Sequence, residues 1–222
     1  MPVRLPEPKR ALQPAWLFVG TLLIAVALNA CGQRVRTVVI TATPGGQGSP
    51  LVSPAAFALT LADLGGGYQE VLAVSHSNRE VASSYHLTPA QLTRRGRVTS
   101  FETEFKPLQS AGMLQIDDVI ALWKTAGAAR WDARHVRQEV LQAHPRPEDL
   151  RPVTTRGLPA GTWAASFRTS KQAANLEDYA VVFSSGRYRV YLQVVATYGS
   201  VGDEDVIRLA GTIRRRIDLV SH

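Results

Sequence analysis

One cysteine in 222 residues, Cys31, leaves no partner for an intramolecular disulfide and no thiolate pair for a zinc site. The chain has no Gly-x-Ser-x-Gly nucleophile elbow and no His-Glu-x-x-His, so two common hydrolase designs are excluded. No internal repeat of fixed period runs through it, and its apolar runs fall short of the ~20 residues that span a bilayer comfortably. Charged residues make up 19% and apolar residues 45%, which excludes a collagen, a coiled coil and a wholly disordered chain. The net charge of +7 is modest and spread out, so nucleic acid is not an expected partner.

The N-terminus carries the clearest signal. Arg4, Lys9 and Arg10 make a basic start diluted only by Glu7, and Pro14 breaks the chain. Residues 15–28 are nearly all apolar, from Trp16 and Leu17 through Val26 and Leu28, and small Ala30 precedes Cys31. A basic segment, a short apolar core and a small exit residue are the parts of a secretory signal.

Leu28-Asn29-Ala30-Cys31 resembles the lipobox of bacterial lipoproteins, with Leu three residues before the cysteine and Ala just before it. Asn29 departs from the small residue usual at its position. The resemblance implies cleavage between Ala30 and Cys31 and acylation of Cys31 with a diacylglycerol of palmitate type. Two acyl chains anchor stably where one does not. The mature chain then has 192 residues and a net charge of +5, since three basic residues and one acidic residue leave with the signal. It is expected outside the cytoplasm, held to a membrane through Cys31.

Residues 1–30 therefore read as the signal peptide, 31–56 as the acylated cysteine and a flexible tether, and 57–222 as one globular domain. The tether is rich in Gly, Pro, Ser and Thr, too little apolar surface to offset its ordering entropy. Val38-Val39-Ile40 is a candidate short strand within it.

Beyond Phe57 the chain turns periodic. Strands are expected from Tyr68 to Ser75, opened by the turn Gly65-Gly66-Gly67, from Arg97 to Phe105, and from Leu114 to Trp123. Ala126, Ala129, Ala133, Val136, Val140 and Ala143 form one stripe of an amphipathic helix ended by Pro145 and Pro147. Trp163, Ala165 and Phe167 alternate along a further strand. A hairpin turns at Ser185-Gly186, with Tyr179, Val181, Phe183, Tyr188, Val190, Leu192 and Val194 inside and Arg187, Arg189, Tyr191 and Gln193 outside. Asp203 is expected to cap a last helix buried through Val206, Leu209, Ala210, Ile213 and Ile217, with Arg214, Arg215 and Arg216 solvated at its end. The pattern predicts an α+β fold in two layers, an antiparallel sheet with helices packed on one face.

Candidate chemical residues are few. His76, His86, His135 and His144 are possible bases, with His222 terminal, but none accompanies a nucleophile motif. His135 and Glu139 share a helix face as a solvated pair, while His144 points away. Asp117-Asp118 reads as one carboxylate facing water and one capping a loop or pairing with arginine; a shared proton or cation is the alternative. Gly65-Gly66-Gly67 lacks the helix that a phosphate loop requires. Arg187, Arg189 and Tyr191 read as a solvated outer face, with an anionic or aromatic ligand as the alternative. No catalytic, cofactor or metal residue is assigned.

Leu61-Ala-Asp-Leu-Gly-Gly-Gly-Tyr68, the Gly96-Arg97-Val98 run leading to Phe101 and Phe105, and the strand, hairpin and helix from Trp163 to Ile217 resemble a diffuse group of bacterial secreted lipoproteins. Gly-Gly-Gly replaces the Pro-Gly common at the first of these. The resemblance implies a PsbP-like α+β fold and carries no catalytic residues. The expected function is a monomeric, non-enzymatic binding or accessory module of the cell envelope, with an unknown protein or small-molecule partner. A small-ligand or sensor lipoprotein is the first alternative and an envelope hydrolase the second.

Overall fold

The computed structural model describes residues 51–109, 112–144, 150–171 and 174–220. Ala30, Cys31, the signal segment, Val38 to Ile40 and His222 lie outside the described residues.

Seven strands form one antiparallel sheet: β1 (Tyr68–His76), β2 (Arg97–Pro107), β3 (Met113–Trp123), β4 (Leu150–Pro152), β5 (Trp163–Lys171), β6 (Ala174–Ser185) and β7 (Tyr188–Thr197). Their order is β1-β2-β3-β7-β6-β5-β4. Two meanders are thus joined at the centre, where β3 pairs with β7. Two short helices, α1 (Asn78–Val81) and α2 (Pro89–Arg95), link β1 to β2. The long helix α3 (Ala126–Ala143) follows β3, and α4 (Asp203–Val220) follows β7.

This topology decides where the helices lie. The chain leaves β3 near the middle of the sheet and must reach β4 at the far edge. Four strand spacings of ~4.8 Å fall within the ~27 Å that an 18-residue helix spans, so α3 crosses over β7 and β6. Its Val136 and Val140 pack with Ala165, Phe167, Ala180 and Val182. The opposite parity, Val181, Phe183, Val190, Leu192 and Val194, packs with Val206, Leu209, Ala210, Ile213 and Ile217 of α4. The expected α+β class and antiparallel sheet are present. The one-face arrangement is corrected: α3 and α4 occupy opposite faces, because a half-buried strand pattern does not say which face a later helix will cover.

All five residues of the predicted α4 stripe are buried. The α3 stripe differs: Ala129, Val136 and Val140 are buried, but Ala143 is exposed and Asp132 is fully buried. The helix begins at Asp203, whose carboxylate takes Arg151 Nη2 and Nη1 at 2.7 and 2.8 Å. That bidentate, charge-assisted pair outcompetes the capping role expected of Asp203. Asp205 Oδ2 instead accepts the Gly202 N–H at 3.3 Å.

The packed chain reaches back to Leu51, into what reads from sequence as tether. Pro54, Phe57, Ala58 and Leu59 are buried. Tyr188 Oη donates to Val52 O at 2.9 Å, and Phe57 meets the Tyr188 ring edge-on with centroids 4.8 Å apart. Arg216 holds Ala58 O at 2.6 Å and Asp63 at 2.7 Å, so it is a clasp rather than a solvated helix end.

Candidate functional site

Strand alternation sends Ser100 and Glu102 of β2, Val119 of β3, and Arg189 and Tyr191 of β7 toward the α3 side. There α3 covers β6 and β7, and the α1–α2 segment covers β1 and β2. Between them lies a cavity of about 480 Å³, inside the ~300–1,000 Å³ range of small-molecule sites. Val81, Val119, Val136 and Val140 supply apolar wall.

Two arginines lie at its base. Arg189 is 4% exposed. Its Nε donates to Asp132 Oδ2 at 2.8 Å, Nη1 to Val119 O at 3.2 Å and Nη2 to Tyr85 Oη at 3.2 Å. Trp123 Nε1 donates to the same Asp132 oxygen at 2.9 Å. Burial opposes the charge of Arg189, but Asp132 and Tyr85 together more than reverse that and hold the guanidinium above its usual pKa.

Arg97 is 2% exposed and differently served. Nη1 donates to Asn78 Oδ1 at 2.8 Å and Nη2 to Ser100 Oγ at 2.6 Å, both neutral acceptors. Its Nε has no partner, and among the described residues no carboxylate pairs with it. Burial pulls its pKa below the usual arginine value. Gly96 sets its placement: with φ at 94° it ends α2 in the left-handed conformation and starts β2, while its carbonyl accepts Lys124 N–H at 2.7 Å.

Three carboxylates also line the cavity, each beside a polar neighbour. His76 Nε2 lies 2.7 Å from Glu102 Oε2. Glu80 folds back on the Ser77 N–H at 2.6 Å and Oγ at 2.7 Å. Glu139 Oε1 is 3.2 Å from His135 Nε2 without hydrogen-bond geometry, and burial raises the Glu139 pKa.

Several sequence expectations change here. Arg189 and Tyr191 do not form a solvated face; α3 roofs them, and only Arg187, bonded to Trp123 O at 3.1 Å, lies toward the hairpin end. His135 is no solvated residue either, since its ring stacks against Tyr85 and Trp131 at 5.4 and 5.3 Å. His144 points elsewhere, as expected: it stacks on Phe167 at 4.1 Å with Nδ1 2.9 Å from Val140 O. His86 sits in a turn with φ at 51°.

Asp117 and Asp118 face opposite sides of the sheet. Asp118 is buried, accepts the Leu59 N–H at 3.3 Å and bonds Thr103 Oγ1, so it fastens the N-terminal segment. Asp117 accepts from Gln115 Nε2 at 2.7 Å; burial, with Glu104 and Glu102 nearby, pushes it up to about 6. The three glycines 65–67 all have positive φ and form the turn into β1, as expected.

Arg97, Tyr85 and Asp132 escaped the sequence reading as site residues. Asp132 was detectable: it lies three residues after Ala129 and four before Val136, a charge on the buried stripe that needs a partner.

Neither a family model nor a curated protein matches the chain. The structure is similar to the extracellular domain of PknH from Mycobacterium tuberculosis, with a TM-score of 0.50 at 10% identity, covering 78% of this chain and 98% of that one. At that identity the likeness is one of fold. Among the described residues, no helix is long and apolar enough to cross a membrane, and no group of three or more His, Cys, Asp or Glu side chains is placed to hold a metal ion.

Proposed function

We propose that this chain is an envelope lipoprotein, anchored through acylated Cys31, whose monomeric domain is a non-enzymatic module that holds a small molecule in the cavity beneath α3. The observation that carries this reading is the cavity itself: apolar walls, convergent polar groups and a size suited to a small ligand. Of the three serines that line it, Ser100 Oγ accepts from Arg97 and Ser84 Oγ donates to Val81 O at 2.8 Å, and no hydroxyl of the three bonds a histidine ring among the described residues, which favours binding over nucleophilic chemistry. The neighbouring PknH fold belongs to an extracellular domain, in keeping with a place outside the cytoplasm. The antiparallel sheet ending in a helix supports the PsbP-like kinship as part of the same reading.

The test is a thermal-shift screen of the full chain against small molecules. A ligand at a hundred times its Kd adds about 2.7 kcal/mol to the folded state. The shift should vanish in Ala143→Trp, which places a large ring at the cavity from an exposed helix position. No stabilising compound, or a shift indifferent to that plug, counts against the reading. For the anchor, Cys31→Ser should move the protein out of the detergent phase; unchanged partitioning rejects acylation at Cys31.

A further inference from the structure

We propose that the cavity is shaped for a small organic acid with one carboxylate and an apolar body, and that Arg97 is the carboxylate's receptor. The inference rests on the reading that the cavity holds a small molecule, and adds the chemical class.

The argument begins with charge. A guanidinium out of water is costly unless paired, and two of them face this cavity. Arg189 has Asp132 at 2.8 Å. Arg97 bonds the amide oxygen of Asn78 and the hydroxyl of Ser100 and feels the Tyr85 hydroxyl and, beyond ion-pair distance, Asp132 and Glu80; its Nε is buried and unsatisfied. Two buried cations thus have one carboxylate, Asp132, in ion-pair contact between them, which leaves Arg97 with an unfilled ion-pair position. A ligand carboxylate fills it, and guanidinium is the side chain best matched to carboxylate geometry.

The walls define the rest of the ligand. Val81, Val119, Val136 and Val140 favour an apolar body. Glu80, Glu102 and Glu139 line the same cavity, so an anion with charge spread over its length meets repulsion as it enters. The combination selects a single charge at one end and rejects polyanions. Glu102 lies against His76 and Glu139 against His135, so neither carboxylate is in ion-pair contact with Arg97.

Calorimetric titration of the full chain with sodium octanoate, octanamide and sodium tripolyphosphate tests this. Octanoate is expected to bind at least tenfold more tightly than isosteric octanamide, and tripolyphosphate more weakly than octanoate. Arg97→Met should erase the octanoate advantage while leaving octanamide affinity unchanged, an outcome that general loosening of the domain does not produce. Ala143→Trp should abolish binding of both, and where Arg97→Met fails to fold, that variant together with the wild-type ratio decides. Equal affinity for octanoate and octanamide overturns the carboxylate class and leaves small-molecule binding standing. Selectivity retained in folded Arg97→Met overturns Arg97 as the receptor. Tighter binding of tripolyphosphate overturns the single-charge requirement. Failure of octanoate and octanamide to bind, or binding indifferent to Ala143→Trp, overturns this proposal; a screening hit that the plug removes would still keep the cavity reading.

Discussion

Between α4 and the sheet lie Val206, Leu209, Ala210, Ile213 and Ile217 against valines, leucines and phenylalanines, with the buried polar pair Asp118 and Thr103 set beside the N-terminal segment. Between the same sheet and its other cover, α3 with the α1–α2 segment, lie a buried ion pair, a tryptophan N–H, a tyrosine hydroxyl, an arginine without a carboxylate contact and an open volume. The two helices are equally long, at 18 residues, so the difference lies in what each face must do. A dry interface gains from every apolar atom it removes from water. A polar interface gains little net stability and confines particular charges to particular places. The first holds the fold together; the second supplies a site.

The comparison can be broken by mutation, read from denaturant unfolding of the full chain. The largest effect is expected at Asp132→Ala, which strands Arg189 and the Trp123 N–H and should cost ~3–5 kcal/mol. Replacing both partners, Asp132→Leu with Arg189→Met, should recover most of that loss, because a buried ion pair exchanged for apolar residues is often neutral or better. A single mutant no worse than the double would mean that the pair is not the organising contact of that face.

Next comes Ile213→Ala on the dry face, at ~2–5 kcal/mol, the range for emptying a buried isoleucine site. Asp117→Asn sharpens the contrast with a gain. Its pKa rises from 3.8 in the unfolded chain to about 6 in the folded one, so the protonated form is the one the fold prefers. The stability it lends is complete below pH 3.8 and drains away as pH rises through 6. At pH 7 the asparagine variant should therefore be more stable by ~1 kcal/mol, discounted for partial solvent screening, with the gain gone at pH 3. Arg215→Ala should be the smallest change, ~0.5 kcal/mol or less, because this exposed side chain bonds only Thr212 on its own helix.

The same contrast explains what could be read from the sequence. The α4 stripe and the β6–β7 hairpin follow directly from the 3.6- and 2-residue periods, which report apolar burial. Those periods are blind to a buried charge. Arg189 alternates with Val190 as an outward residue should, and it does point away from the α4 core, yet α3 lies over it. Whether the second face is wet depends on a crossover that no local pattern encodes. Arg97 is harder still: one arginine after a glycine resembles any strand start, and its significance comes from the lack of a carboxylate in ion-pair contact among the described residues. Asp132 alone carried a warning, as a charge on an apolar stripe.

The clasp at the N-terminal segment has a consequence in time. Leu59 is held by Asp118, 59 residues later; Val52 by Tyr188, 136 later; and Ala58 by Arg216, 158 later. A chain emerging from its N-terminus first presents these anchoring positions long before the groups that secure them exist. Closing such long loops carries an entropic cost before any contact rewards it, and folds dominated by distant pairings form slowly. The N-terminal packed segment is thus among the last parts of the domain to be locked, because its contacts with Tyr188 and Arg216 await those residues.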